Sequence, residues 1–308
     1  MKVGKDARLL VHLASGIGNI ILATPLLQVL IRAQYTVELL VDGDYGETAQ
    51  LFQHWGGLHA IHTDGLANRL NAPYDVLIPA IPPFYWNRYA KLYAGQTNVL
   101  IRPPDTLFYR DEQAFYLAFA QGLGCRVEEP PSTFLPIAPD LGHMIGAETL
   151  VLAPGCKTGE MAAKRWPHFP ALAALFDHVV VVGTTDDMKR FDGSVMTFPD
   201  HVRSFIGQTS LAETAGILAA AGAVVANDSG LGHMAAAVGT ATVLLFGPTP
   251  HTVLGQMPEN VTLLRCGMTC EPCWLSRKFA SCSGRIDCLK HIPVEKVATI
   301  TRELLGTI

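Results

Sequence analysis

The sequence predicts an α/β fold of parallel sheets in two domains, and three observations carry that expectation. Apolar runs at 8–14, 36–41, 74–80, 149–153, 179–183 and 223–226 are nearly continuous rather than alternating, the pattern of strands buried on both faces. Segments with helical spacing alternate with them, which implies βαβ units. The chain has 308 residues, 49% hydrophobic and only 16% charged, enough for two well-buried domains. Prolines crowd the stretch 128–140, where the boundary is expected, giving domains over 1–140 and 141–290 and a closing segment, 291–308, that ends in a helix.

Composition excludes several classes. A net charge of −4 gives no global electrostatic reason to expect a nucleic-acid partner. No apolar run reaches the length of a membrane span, and the N-terminal residues lack a cleavage-site pattern, so a cytoplasmic protein is expected.

In the first domain the strand 8–14 runs into Ser15, Gly16, Ile17, Gly18 and Asn19, and a helix is expected over 20–32 with Pro25 near its first turn. Glycines between a strand and a helix let a ligand approach the backbone, although many such turns contain glycine for steric reasons alone. The segment 82–93, PPFYWNRYAKLY, interleaves aromatics with Arg88 and Lys91. It suits a stacked ring, a lipid headgroup zone or a partner, and equally a loop folded onto its own domain. A helix over 113–122 follows.

In the second domain Lys164, Arg165, Trp166 and Pro167 precede a helix expected over 168–176. Two cations before a helix N-terminus can hold a phosphate, or can simply be solvated loop charges. Thr209 or Ser210 caps the next helix. The stretch 223–248 then reads as strand, turn, small-residue helix and strand, with Asn227, Asp228, Ser229 and Gly230 at the turn. Free amides and the positive dipole end at that point favour an anion such as a diphosphate. A carboxylate beside a phosphate repels it, so Asp228 suits a hydroxyl-rich group attached to the phosphate. The competing reading is that Asp228 caps the helix and His233 packs inside it.

Five of the seven cysteines lie between 266 and 288, an odd total that argues against a secreted disulfide framework. Cys270, Cys273, Cys282 and Cys288 form the set expected to bind a structural zinc or iron ion, weighed level against reduced thiols or adventitious disulfides.

Four motifs occur together: G-x-G-N-x-x-L-A-T-P from Gly16 to Pro25, K-R-W-P from Lys164, N-D-S-G-x-x-H from Asn227 to His233, and L-F-G-P-T ending at Thr249. With these the chain resembles glycosyltransferase family 9, the family of the ADP-heptose:lipopolysaccharide heptosyltransferases. The resemblance implies a GT-B architecture, two Rossmann-like domains facing a central cleft, with the final helix returning to the N-terminal domain. It implies an inverting transfer, needing no metal for catalysis, from an ADP-sugar, with heptose as one candidate sugar. The acceptor is then a hydroxyl of a glycan, a lipid-linked glycan or a protein, and such an enzyme works in the cytoplasm or peripherally at the inner membrane. Relatives with cysteine-bearing C-terminal segments include protein heptosyltransferases that use one for iron.

Carried onto these residues, Lys164 neutralises the diphosphate, and the Ser229 and Gly230 amides cradle it. Asp228 binds sugar hydroxyls, with His233 and Thr249 lining the pocket and Gly16, Gly18 and Arg165 completing the donor set. The family pattern places an aspartate, the proposed base, where this chain has Asn19. An amide cannot accept a proton usefully. Asn19 is therefore expected to position an acceptor hydroxyl, while the base is sought among His12, Asp42, Asp44 and Glu47. Two other readings stand beside the transferase: a degenerate one that only binds a nucleotide sugar, and a GT-B-fold epimerase, which needs more carboxylates than the cleft motifs offer.

Overall fold

The computed structural model describes residues 3–137, 145–156, 164–189, 193–274, 282 and 287–306. The chain forms two units, Met1–Pro136 with Thr252–Met257, and Ile137–His251 with Pro258–Ile308. The division falls inside the proline-spaced stretch.

The first unit holds a four-stranded parallel sheet ordered β3-β2-β1-β4, from β1 (Arg8–Leu13), β2 (Thr36–Val41), β3 (Leu58–His62) and β4 (Val76–Pro79). β1 and β2 are buried beyond their first residues, which is why they read as continuous apolar runs. The half-exposed edge strand β3 has no such run, and the sequence reading missed it. The helix expected over 20–32 is two helices, α1 (Ile17–Leu22) and α2 (Thr24–Arg32), divided at Ala23. Pro25 stands in the first turn of α2, where the amide it lacks has no intrahelical partner to lose. Short helices α3 (Leu66–Arg69), α4 (Pro83–Trp86), α5 (Ala90–Tyr93) and α6 (Asp105–Phe108) lead to α7 (Glu112–Gly122), capped by the Asp111 carboxylate accepting from the Ala114 amide at 2.8 Å.

The second unit holds six parallel strands ordered β10-β9-β8-β5-β6-β7. They are β5 (Leu150–Ala153), β6 (Val179–Val181), β7 (Arg203–Ser204), β8 (Ala223–Asn227), β9 (Thr242–Leu245) and β10 (Val261–Leu264). The helices are α8 (Phe169–Ala173), α9 (Leu211–Ala220), α10 (Gly230–Ala237), α11 (Asp287–Lys290) and α12 (Val294–Leu305). Ser210 caps α9 through a reciprocal capping box with Glu213.

The final helix, expected to return to the N-terminal domain, is part of the second unit. Its apolar stripe places Val297 and Ala298 in one core with Trp166, Phe169, Val225 and Leu245. The late segment that joins the first unit is instead Thr252–Met257, where the Gln256 carbonyl accepts from Gln113 Nε2 at 3.0 Å.

In each sheet the strand order reverses once, between β1 and β4 and between β8 and β5. Ligands of open parallel sheets bind outside the carboxyl ends of strands at such reversals. Asn19 follows β1, Lys164 follows β5 and Asp228 follows β8, so the sequence motifs sit at those points.

One buried carboxylate braces the first sheet. Glu38 of β2 accepts from Arg8 Nε at 2.6 Å, His62 Nε2 at 2.8 Å and the Tyr74 hydroxyl at 2.8 Å. Burial alone would raise its pKa, but these three donors hold it down at about 2. Because the folded value lies below the unfolded one, the stabilisation is full above the ordinary carboxylate range and is lost as pH falls toward 2. Glu38→Gln should therefore cost about 1–3 kcal/mol in urea titrations at pH 7. The gap to the parent should narrow between pH 5 and pH 2, and a gap independent of pH would show that the carboxylate's charge contributes nothing.

Candidate active site

The second unit gathers its site residues at the loops after β5, β8 and β9. Asn227, the last residue of β8, is fully buried and clamps two points of the connection after β5. Its Nδ2 donates to the Pro154 carbonyl at 2.6 Å, and its Oδ1 accepts from the Trp166 amide at 3.0 Å. Trp166 is itself fully buried and donates from Nε1 to the Ile292 carbonyl at 3.1 Å. With Asn227 and Trp166 fixed, Lys164 is delivered to the end of β8.

Lys164 Nζ donates to Asp228 Oδ2 at 2.6 Å, to the Asp228 carbonyl at 3.1 Å and to Thr249 Oγ1 at 3.2 Å. The side chains of Lys164 and Asp228 are 7% and 8% exposed. His233 Nε2, one turn into α10, stands 3.3 Å from Asp228 Oδ1. Burial pushes the Asp228 carboxyl up, yet the Lys164 charge and the His233 hydrogen bond hold it well below the ordinary carboxylate range. Asp228 is thus a carboxylate at neutral pH.

This arrangement revises three expectations. Asp228 does not cap α10: the N-cap is Ser229, whose Oγ accepts from the Gly232 amide at 3.4 Å, with Gly230 the first helical residue. Nor does Asp228 present a free carboxylate to sugar hydroxyls, since both oxygens are occupied and it is buried. Arg165 points elsewhere, donating to the carbonyls of Asp186 and Lys189 and lying 3.7 Å from Asp187 Oδ1. It fastens the loop after β6 and does not join Lys164, because a guanidinium's fan of donors can satisfy several loop acceptors at once.

Glycine is required at 247. An added Cβ there would lie 2.9 Å from Cys288 Sγ and from Leu289. The Pro248 carbonyl next to it accepts from the amides of Cys273 and Trp274 at 2.9 and 2.8 Å. The Cys-bearing segment thus props the loop that presents Thr249 to Lys164. Cys273 and Cys288 are buried, Cys282 is half-buried and Cys270 exposed. Burial, with Glu271 beside it, pushes the Cys288 thiol up to about 12. Among the described residues no three His, Cys, Asp or Glu side chains converge as metal ligands, and 275–281 and 283–286 lie outside them.

In the first unit Gly16 is the extended N-cap of α1, and Gly18 and Asn19 fall inside that helix. Asn19 Oδ1 accepts from Ser15 Oγ at 2.8 Å, and its Nδ2 donates to Glu112 Oε1 at 2.7 Å. Tyr116 donates to the same Glu112 oxygen at 3.2 Å. Glu112 is only 4% exposed. Sequence reading missed it because it lies 93 residues from Asn19 at the start of α7. The suggested bases fare differently. His12 is fully buried, with Nδ1 2.8 Å from the Tyr93 hydroxyl, and burial lowers its pKa. Asp42 is committed to the amides of Gly43 and Leu66, while Glu47 is exposed.

Comparison with known proteins reinforces the motifs. Residues 132–282 match the model of glycosyltransferase family 9 (heptosyltransferase). Lipooligosaccharide heptosyltransferase 2 of Haemophilus influenzae is 32% identical over 133 residues, which cover 40% of this chain and 38% of that protein. The match therefore spans well under half the length of that relative. A family 9 glycosyltransferase from Veillonella parvula superposes over 100% of this chain and 99% of its own, with a TM-score of 0.74 at 18% identity. The dodecameric iron-containing heptosyltransferase TibC, in complex with ADP-D-beta-D-heptose, covers 99% of this chain and 78% of its own, with a TM-score of 0.65 at 18% identity. These structures share the fold expected from the motifs, the GT-B class of Rossmann-like units.

The buried pair yields a stability test. Asp228→Asn strands the Lys164 ammonium without a counter-charge, and unfolding free energy at pH 7 should fall by about 3–5 kcal/mol. Adding Lys164→Met should recover much of that loss, whereas a single-variant loss under ~1 kcal/mol would mean that the pair behaves as a solvated one. In sequence over 132–282 and in fold over the whole chain, the protein is similar to the heptosyltransferases of glycosyltransferase family 9.

Proposed function

We propose that the protein is an inverting glycosyltransferase that moves a sugar from an ADP-sugar, with heptose the first candidate, to a hydroxyl of a glycan or lipid-linked glycan. The observation that carries this reading is the ammonium of Lys164, fixed by Asp228 beside the N-terminus of α10 at the strand-order reversal. A leaving diphosphate develops negative charge, and a preorganised cation with helix-end amides is what stabilises it. Lys164 has three donors, all used within the protein, so a phosphate oxygen has to replace one acceptor; the hydroxyl of Thr249 is the longest of the three contacts. Asp228 then acts by orienting Lys164 and His233 rather than by gripping the sugar itself. The H. influenzae relative is named for heptosyl transfer and TibC was solved with ADP-heptose, which supports the donor class. In the first unit, the proposed role of Asn19 is to position the acceptor hydroxyl, its amide held by Ser15 and Glu112.

A second reading, a transferase-derived module that binds a nucleotide sugar without turnover, is favoured by one observation. The side chain at position 19 is an amide, and the carboxylate it touches, Glu112, is buried. Asn19→Asp separates the two, since a large gain in transfer marks a degenerate site and a loss marks an adapted one.

Calorimetry tests the diphosphate role. Lys164→Ala should weaken ADP by about 10–100-fold and adenosine by less than about twofold. Thr249→Val, which leaves the buried ion pair intact, should change ADP affinity alone; equal losses for both ligands in either variant would contradict the reading.

The transfer as proposed uses no metal. We also propose a structural iron or zinc ion held by Cys270, Cys273, Cys282 and Cys288, supported by the softness of the donor set, by the buried, unpartnered Oε1 of Glu271 and by the iron of TibC. The described thiols do not converge as they stand, so binding requires the segment to close around the ion. Metal analysis of freshly purified protein should find about one equivalent per chain, as a four-thiolate site holds. Less than a substantial fraction of an equivalent would end the proposal.

A further inference from the structure

Glu112 is a buried carboxylate that the donor site does not use. It opens α7, where an acid in the first turn is ordinarily a solvated partner of the helix dipole. Here Asp111 already caps the helix through the Ala114 amide at 2.8 Å, and Glu112 is turned inward, 4% exposed. Its Oε1 accepts from Asn19 Nδ2 at 2.7 Å and from the Tyr116 hydroxyl at 3.2 Å. Burial first, and then the Glu112 charge, push the Tyr116 phenol well above its ordinary range, so the hydroxyl stays a donor. Ser15 and Glu112 are buried while Asn19 is half-buried, and α1 follows β1 at the strand-order reversal, where ligands of such sheets bind. The carboxylate thus lies deeper than the amide it holds.

An amide side chain can be held with its oxygen and nitrogen either way round. Ser15 does not choose between the two orientations, because a hydroxyl both donates and accepts; a carboxylate does choose, because it only accepts. Glu112 therefore fixes Asn19 with Nδ2 inward and Oδ1 beside Ser15 and Gly16, where a Cβ built on the glycine would lie 3.8 Å from that oxygen. The same bond carries charge. An N–H that donates to a carboxylate is polarised, and the polarisation makes the oxygen at the other end of the amide a stronger acceptor. A buried carboxylate that orients a neighbouring group without itself taking a proton is the part the aspartate plays in hydrolytic triads.

We propose that Glu112 is a positioning residue of the transfer reaction, setting through Asn19 the direction and strength with which an amide oxygen holds the acceptor hydroxyl. This role rests on the transferase reading and makes position 19 adapted rather than degenerate. With Glu112 behind it, an amide is the side chain that fits: a carboxylate there would put a second charge where Nδ2 now stands, 2.7 Å from Oε1, and two carboxylates so close cannot both stay ionised. Exchanging the pair, Asn19→Asp with Glu112→Gln, keeps one carboxylate, one amide and the hydrogen bond between them with its direction reversed.

Three variants of the full chain test the role: Glu112→Gln, Asn19→Asp and the exchanged pair. Each is read by melting temperature, by ADP calorimetry, and by ADP release from ADP-D-beta-D-heptose with heptose-deficient lipopolysaccharide as acceptor. Glu112→Gln turns a charge-assisted bond into a neutral one, so kcat should fall about 5–10-fold while donor KM and ADP affinity change by less than about twofold. Asn19→Asp should lower the melting temperature and reduce kcat by at least about tenfold. The exchanged pair should recover the melting temperature and most of the activity. An unchanged kcat in Glu112→Gln, a gain in transfer from Asn19→Asp alone, or an exchanged pair no better than Asn19→Asp would overturn the positioning role while leaving the transferase reading in place. A parent that binds ADP but transfers nothing would overturn the transferase reading and this role with it.

Discussion

The candidate site depends on one buried ion pair. Lys164 and Asp228 lie on different loops 64 residues apart, and each would be costly to bury alone. Together they fix the end of β8 to the loop after β5, and their charge leaves few other arrangements for either loop. The pair need not make the protein more stable than a hydrophobic substitute would. In the proposed reading its contribution is to hold an ammonium beside a helix N-terminus before any anion arrives, so that only the Thr249 contact has to give way when negative charge develops.

Around the pair, packing and hydrogen bonds each fix one degree of freedom. Asn227 holds two points of the connection after β5 through backbone groups, so its side chain works as a spacer of set length between that connection and β8. Trp166 fills the core beside α12 and anchors the residues flanking Lys164. That explains why the closing helix belongs to the second unit. Val297 and Ala298 share one buried cluster with Trp166, whose Nε1 donates to the Ile292 carbonyl just before the helix.

Most of the architecture was legible in the sequence because parallel strands buried on both faces declare themselves as apolar runs. β3, half-exposed and mixed in composition, did not. The site residues were legible as a set, since Lys164, Asp228, Ser229, His233 and Thr249 do meet. Their roles were less so. Which residue capped α10 turned on a backbone dihedral, the extended conformation of Ser229, that composition cannot report. Arg165 looked like a second phosphate cation by adjacency, but successive side chains in an irregular loop point in different directions. Glu112 escaped because the contact with Asn19 is made by folding and not by spacing.

The cysteine segment belongs to the same construction whatever its metal content. Cys273 and Trp274 donate their amides to the Pro248 carbonyl, and Cys288 presses on Gly247, so the segment touches the backbone immediately before Thr249 on two sides. A loop ending in a residue that hydrogen-bonds the buried ammonium cannot move freely without disturbing that ammonium. The small side chain at 247 is therefore a condition of the site and not only of the turn: it lets the sulfur of Cys288 approach closely enough to hold the loop. The L-F-G-P-T motif and the cysteines, separate in the sequence, act as one support for Lys164.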